Sequence, residues 1–215
     1  LQRETPDGFT SRESRFIDSV LRFLPRVRRL GAFNSLAQLV LKATTPGVPD
    51  FYQGTEVWDL SLVDPDNRRP VDYEVRRRLL HELKTMSDDK RVEEIMARAD
   101  EGLPKMWTIY QALHLRREHK EWFGADSGYR RLAVEGTKRD HVIAYLRGDS
   151  VATIVPRLTV KLLGLWKNTT VTLPEGRWRN RLTGIDFDGG KLAIQNLLKG
   201  FPVALLVKSE GLEHA

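Results

Sequence analysis

Between Thr44 and Tyr73 the chain reads TTPGVPDFYQGTEVWDLSLVDPDNRRPVDY, which places side chains able to bind a hydroxyl-rich ligand beside residues that restrict the backbone. Asp66, Asn67, Arg68 and Arg69 follow one another, so a carboxylate, an amide and two guanidinium groups fall within four positions. Arginine presents a planar fork of donors that can fix a carboxylate or neighbouring hydroxyls. Adjacent residues of an extended segment point to opposite sides, so one of Arg68 and Arg69 faces a ligand while the other ties the loop down. Asp64 and Asp66 accept hydroxyls or cap turns, as aspartate beside proline commonly does. Upstream, Tyr52 offers a ring face and a hydroxyl, and Gln53 an amide. Glu56 is either a ligand contact or a clasp for its own loop, and Trp58 either a stacking platform or a buried anchor. Pro46, Gly47, Pro49 and Gly54 hold or release the backbone at set points. The segment is read as one wall of a binding site.

The order Gly47-Val48-Pro49-Asp50-Phe51-Tyr52-Gln53-Gly54-Thr55-Glu56, followed by Asp64-Pro65-Asp66-Asn67-Arg68-Arg69-Pro70, resembles the last barrel strand and following loop of the α-amylase superfamily. With Asp50, Gln53, Trp58 and Val71-Asp72-Tyr73, the wording is most similar to the maltooligosyl trehalose synthase family. LHLRREHKEWF (Leu113 to Phe123), TVTLPEGRW (Thr170 to Trp178) and FPVALL (Phe201 to Leu206) extend the likeness over nearly the whole chain. The resemblance covers only the C-terminal portion of that longer architecture. It implies an isomerase fragment whose parent turns the reducing-end α-1,4 link of a maltooligosaccharide into an α,α-1,1 link through a retaining glycosyl-enzyme. The implied catalytic carboxylates would follow the fourth, fifth and seventh barrel strands, before Leu1, so no catalytic residue is placed here and the chain alone is expected to be inactive. The implied substrate-binding residues are Tyr52, Gln53, Glu56, Trp58, Asp66, Asn67, Arg68 and Arg69. The region of an α-glucan hydrolase or 4-α-glucanotransferase, or a non-catalytic carbohydrate-binding module, remains the alternative.

The elements that must position this wall follow from periodicity. Thr10 with Glu13 makes a capping box, and Phe16, Ile17, Val20, Leu21 and Leu24 predict a helix with one buried face that Pro25 interrupts or closes. A second helix is predicted from Asn34 to Lys42, then a short strand from Val48 to Tyr52. Further helices are predicted from Asp72, over Arg91 to Arg98, and over Pro104 to Lys120, where proline in the first turn costs nothing. Helix, Gly/Pro break, strand, polar loop and helix is the rhythm of an α/β barrel. Past Phe123 the spacing shortens to strands at Tyr129 to Val134, His141 to Arg147, Val151 to Val155, Thr169 to Leu173 and Val203 to Lys208, punctuated by glycines. The fold class is therefore mixed α and β: helices and the last βα unit of a (β/α)8 barrel over residues 1–125, then an antiparallel β-sandwich over 126–215. A single barrel strand exposes its backbone, so Val48 to Tyr52 is expected to pair across a dimer, to lie as a loop or to be disordered.

Composition bounds the rest. The 215 residues contain no cysteine, which rules out disulfides and thiolate metal sites and fits a cytoplasmic location. No apolar run reaches membrane-spanning length, so no membrane partner is expected, and no metal or cofactor motif is present. The net charge of +6 permits nucleic-acid binding. Yet Arg26, Arg28 and Arg29, Arg76 to Arg78, and Arg116 with Arg117 fall as helix-face clusters broken by acids, the pattern of solvated faces, and no nucleic-acid partner is expected. His81, His114, His119, His141 and His214 are scattered and form no catalytic set. Trp166 and Trp178 are read as core before sugar surface. The opening Leu1, in place of Met, agrees with a truncated piece.

Overall fold

A computed structural model describes residues 11–162 and 164–209, with side chains of the first helix from residue 15 onward. Thr10 and the side chain of Glu13, the expected capping box, lie outside them. α1 (Ser11–Thr44) is one uninterrupted helix of 34 residues that runs through Pro25. The expected break at Pro25 and a separate second helix are corrected. The proline ring removes one ladder bond at a cost of about 3 kcal/mol, and the turns on both sides keep their own bonds. The buried face expected at Phe16 to Leu24 is corrected too. Phe16, Ile17, Val20, Leu21 and Leu24 are exposed, and burial begins only at Leu36, Ala37, Leu39, Val40 and Ala43.

α2 (Tyr73–Thr85) opens where the Asp72 carboxylate accepts the Val75 N–H at 3.0 Å, and it buries Leu79 and Leu83. α3 (Arg91–Ala97) buries Ile95. α4 (Leu103–Glu118) starts after Gly102, whose φ of 89° suits glycine, with Pro104 in its first turn. A Cβ on Gly102 would stand 2.7 Å from Val57 Cβ, so this glycine lets the site segment rest directly on the start of α4.

The strands β1 (Tyr129–Arg131), β2 (Val134–Glu135), β3 (Val142–Arg147), β4 (Val151–Pro156), β5 (Thr170–Asn180), β6 (Asp186–Ala193) and β7 (Ala204–Lys208) are antiparallel, with short helices α5 (Thr159–Leu162) and α6 (Ile194–Leu197) between them. They form one curled sheet in the order β1-β3-β4-β7-β5-β2, with β6 on the other edge of β5, where two facing sheets had been expected. The cause is β5. Its end pairs with β7 through Trp178 to Asn180, its start pairs with β2, and a bulge between Leu173 and Arg177 bends it, so hydrogen bonding continues around the curl.

Alternation along β4 and β7 sends residues to both faces, and both are buried, which explains the unbroken apolar runs. Val151, Val155 and Leu205 meet Leu36, Val40, Leu83, Leu103 and Leu115 of the helices. Ala152, Ile154 and Leu206 meet Val142, Leu146, Val171, Ile194 and the fully buried Trp178 inside the curl. One face of the sheet thus shares a core with the helices, and the other encloses a second core inside the curl. At its seam the Thr44 hydroxyl donates to Val40 O at 2.7 Å and accepts from the Thr153 hydroxyl at 2.9 Å. Its one proton is committed, so Tyr145, 2.6 Å away, is the donor of their bond.

Burial pushes the Tyr145 phenol up to about 12. An unfolded tyrosine ionises near pH 10, so the unfolded state loses its proton first and the contribution, complete below that pH, is lost as pH rises toward about 12. Urea titrations are expected to show stability declining over this window, and the decline should be smaller in Tyr145→Phe.

Candidate functional site

The segment that leaves α1 at Thr45 contains no strand. Val48 to Tyr52, expected as a barrel strand, is irregular backbone with Val48 97 % exposed. A lone extended segment has no neighbour among the described residues to satisfy its N–H and C=O groups, and in this conformation it offers no strand edge to a second copy. Side-chain bonds hold it instead. Phe51 packs against the helical core beneath the Lys42 ammonium, which stands 4.3 Å from the ring centroid. Gln53 to Glu56 form a turn in which Gly54 takes a φ of 87° and Thr55 donates its N–H and its hydroxyl to Tyr52 O, at 3.2 and 2.6 Å.

Arg76, on the first turn of α2, clasps this turn. Its Nε donates to Glu56 Oε2 at 2.8 Å, its Nη1 to Asp72 O at 2.9 Å, and its Nη2 to Gly54 O. The Tyr73 hydroxyl donates to Gln53 Oε1 at 3.1 Å, a second strut between the turn and α2. Trp58 is half-buried, its indole N–H donating to Ala99 O at 2.6 Å. Lys105 donates to Val57 O at 3.0 Å and lies 5.9 Å from the Trp58 ring centroid. Burial lowers the Lys105 ammonium from the usual lysine range, opposed by the charge of Asp59. Asp59 accepts from the Ser61 hydroxyl and N–H, which hold its carboxyl below the usual range.

The second lobe is a single 3-10 turn, Asp66–Arg68. Asp66 accepts the Leu62 N–H at 2.9 Å and pairs with Arg69, while Arg68 Nη2 reaches Asp64 Oδ2 at 2.8 Å. The two arginines thus engage different carboxylates. Both remain largely in solvent, with side chains 71 % and 74 % exposed, and Asn67 is exposed beside them. Their outer donors are presented outward.

Tyr52 is half-exposed and lines a concavity of about 280 Å³ together with Asp50 and Thr55 from the segment, Ser35, Gln38 and Lys42 from α1, and Lys105 from α4. The fold therefore gathers Tyr52, Gln53 and Glu56 into one turn with Trp58 at its base. It sets Asp66, Asn67, Arg68 and Arg69 on a separate outer lobe. Arg76, Gln38, Lys42 and Lys105 were not singled out from the sequence. Arg76 stands in a run of three arginines with nothing local to distinguish it, and Lys105 lies in a helix whose apolar spacing dominates. The arrangement can bind hydroxyls through ammonium, amide and carboxylate groups around an aromatic ring. Among the described residues no three His, Cys, Asp or Glu side chains converge as a metal site, and no helix is long and apolar enough to cross a membrane.

No family profile matches the chain. A curated Mycobacterium tuberculosis protein named as a maltooligosyl trehalose synthase is 42% identical over 176 residues, which make up 81% of this chain and 20% of that protein. The chain is homologous to part of maltooligosyl trehalose synthase. Solved structures agree. The maltooligosyltrehalose synthase from Arthrobacter ramosus matches with a TM-score of 0.78 and 35% identity over 88% of this chain and 24% of its own. A second maltooligosyl trehalose synthase matches with a TM-score of 0.71 and 30% identity over 91% of this chain and 24% of its own. The chain spans about a fifth of the length of the curated synthases it matches.

If Arg76 holds the turn as these bonds indicate, Arg76→Ala should speed amide exchange at residues 54–57 roughly tenfold, the loss of about 1.4 kcal/mol of charge-assisted bonding. Arg77→Ala, which removes only an exposed pair with Glu74, should leave those rates unchanged. Hydrogen exchange followed by mass spectrometry compares the two.

Proposed function

We propose that this chain supplies one wall of the glucan site of a maltooligosyl trehalose synthase, with Tyr52, Gln53, Glu56, Trp58, Asp66, Asn67, Arg68 and Arg69 as the wall's residues. The observation that carries the reading is the 42% identity to a protein of that name over 176 residues, 81% of this chain. The geometry adds support. Tyr52 stands over a concavity lined by hydroxyl-binding side chains, and its turn is braced by Arg76 and Tyr73. A braced turn holds its polar groups at fixed positions and loses little entropy when a ligand binds.

In the proposed reaction one carboxylate attacks the anomeric carbon of the penultimate glucose of a maltooligosaccharide. A carboxylic acid protonates the leaving O4, and the terminal glucose departs but stays bound. Its anomeric hydroxyl then attacks the glycosyl-enzyme, gives its proton to the carboxylate that had served as the acid, displaces the enzyme nucleophile and forms the α,α-1,1 link. Water must be kept from the intermediate, and a loop lobe closing on the site serves that end. Several acids of this segment are engaged in holding it: Glu56 by Arg76, Asp59 by Ser61, Asp66 by Arg69, Asp64 by Arg68 and Asp72 at the helix cap, while Asp50 lines the concavity. From the resemblance to the synthases, the nucleophile and acid are assigned to polypeptide outside this chain, in a cytoplasmic enzyme. Residues 1–125 belong with the catalytic barrel and 126–215 form its C-terminal β domain.

Incubated alone with maltopentaose, the chain is expected to give no trehalosyl ends, and turnover would sink the proposal. Grafted in place of the matched region of the full-length M. tuberculosis relative, it should give a protein that makes non-reducing trehalosyl products. Free glucose and maltose as the main products would favour a hydrolase. In that graft, Arg68→Ala and Arg69→Ala are to be compared, and one of the two should lower kcat/KM by about ten- to a hundredfold, the value of a hydrogen bond to a charged group.

A further inference from the structure

The first half of α1 carries an apolar stripe that this fold leaves bare. Phe16, Val20, Leu21, Phe23, Leu24 and Val27 are all exposed, Phe16 at 70 % and Phe23 at 62 %. Scattered exposed leucines are ordinary, but a contiguous stripe of this extent on one helix marks an interaction surface. At about 100° per residue these six side chains occupy one side of the helix, and Leu36, Ala37, Leu39, Val40 and Ala43, which enter the core, are centred about 170° away. α1 is continuous between the two sets. The bare stripe therefore faces away from the core that the same helix helps to build, and it is not an extension of it. One helix presents apolar faces in two directions, to two different bodies.

The flanks indicate what the second body is. Arg15, Arg22, Arg26, Arg28 and Arg29 accompany the stripe, and Asp18 is the one carboxylate between positions 15 and 30. Arg28 is partly neutralised by Asp100 at 2.8 Å, and the others face solvent. A second copy laid on the same stripe would bring these like charges together, which costs energy at an interface. An apolar surface rimmed by carboxylates meets both features. The matched synthases are about five times as long as the region shared with this chain, so they contain a large body of polypeptide beyond it. We propose that the Phe16 to Val27 stripe is the surface on which an acid-rimmed apolar face of the remaining synthase polypeptide docks. This rests on the reading of the chain as part of a synthase. By bridging two bodies, α1 would set the distance and orientation of the Tyr52 turn relative to the catalytic carboxylates assigned there.

Hydroxyl-radical footprinting of the isolated chain and of the full-length graft described above tests this. Oxidation of Phe16, Leu21 and Phe23 should be rapid in the isolated chain and several-fold slower in the graft. Leu21→Glu with Leu24→Glu should restore rapid oxidation of Phe16 and Phe23 in the graft while leaving the thermal transition of the isolated chain unchanged. Equal oxidation rates in the two proteins would overturn the proposal. So would destabilisation of the isolated chain by the double substitution. Protection of the isolated chain that rises with concentration alongside a dimer mass, or that arises only with phosphatidylserine-containing vesicles, would also overturn it in favour of a second copy or a lipid surface. The functional reading is separable. A protected stripe in a graft that makes no trehalosyl ends keeps the docking surface and removes the function, whereas trehalosyl ends with an unprotected stripe do the reverse.

Discussion

The hydroxyl of Thr44 is the point on which the placement of the site depends. It closes the last turn of α1 by donating to Val40 O, and it accepts from Thr153 of β4 and Tyr145 of β3, so the end of the helix is tied to two adjacent strands. All of its hydrogen-bonding capacity is used in a buried setting, where leaving any partner unpaired costs about 1–3 kcal/mol. The next residue begins the candidate-site segment. Where that segment starts is thus decided by three hydroxyls at the seam between helix and sheet, and a shift of α1 along the sheet would break both bonds that cross it.

The far side of the segment is fixed by different means. Gly102 brings the backbone of Val57 onto the start of α4, Trp58 reaches Ala99 O, and Arg76 with Tyr73 braces the turn from α2. These contacts leave Tyr52 on the rim of the concavity and free the outer donors of Arg68 and Arg69. Two ammonium groups, an amide, a carboxylate and the hydroxyls of Ser35, Tyr52 and Thr55 line the concavity, a mixture of donors and acceptors that suits hydroxyls. Most carboxylates of the region are engaged in holding the loop.

Much of this was legible in residues whose physics is local. Asp72 caps α2 and Pro104 sits in the first turn of α4, as their types require. The strands at β3, β4 and β7 fall where short apolar runs between glycines place them. β6, with the sequence DFDGGKLA, escaped because two adjacent glycines and its half-exposed side chains carry no apolar alternation, and its pairing with β5 supplies its order. Pro25 was misleading in the opposite sense: a proline removes one ladder bond, and 34 residues of helix absorb that loss. The curl of the sheet was equally hidden, since nothing in the strand residues announces that β5 will pair with β2, β6 and β7 together.

The order of residues alone determined the chemistry offered: an aromatic ring, amides, carboxylates and arginines within one Gly- and Pro-marked segment, in an arrangement resembling one enzyme family. Types and spacing are properties of the chain, and they survive without knowledge of what lies nearby. Only the tertiary structure decided which of those groups are engaged in holding the loop and which face outward, because an ion pair such as Arg76 with Glu56 joins residues 20 apart in sequence. It also decided that Phe16 to Leu24 lie bare and Leu36 to Ala43 lie buried, although both stretches have helical apolar spacing. Periodicity reports that a face is apolar; whether anything covers it depends on what the rest of the fold brings against it.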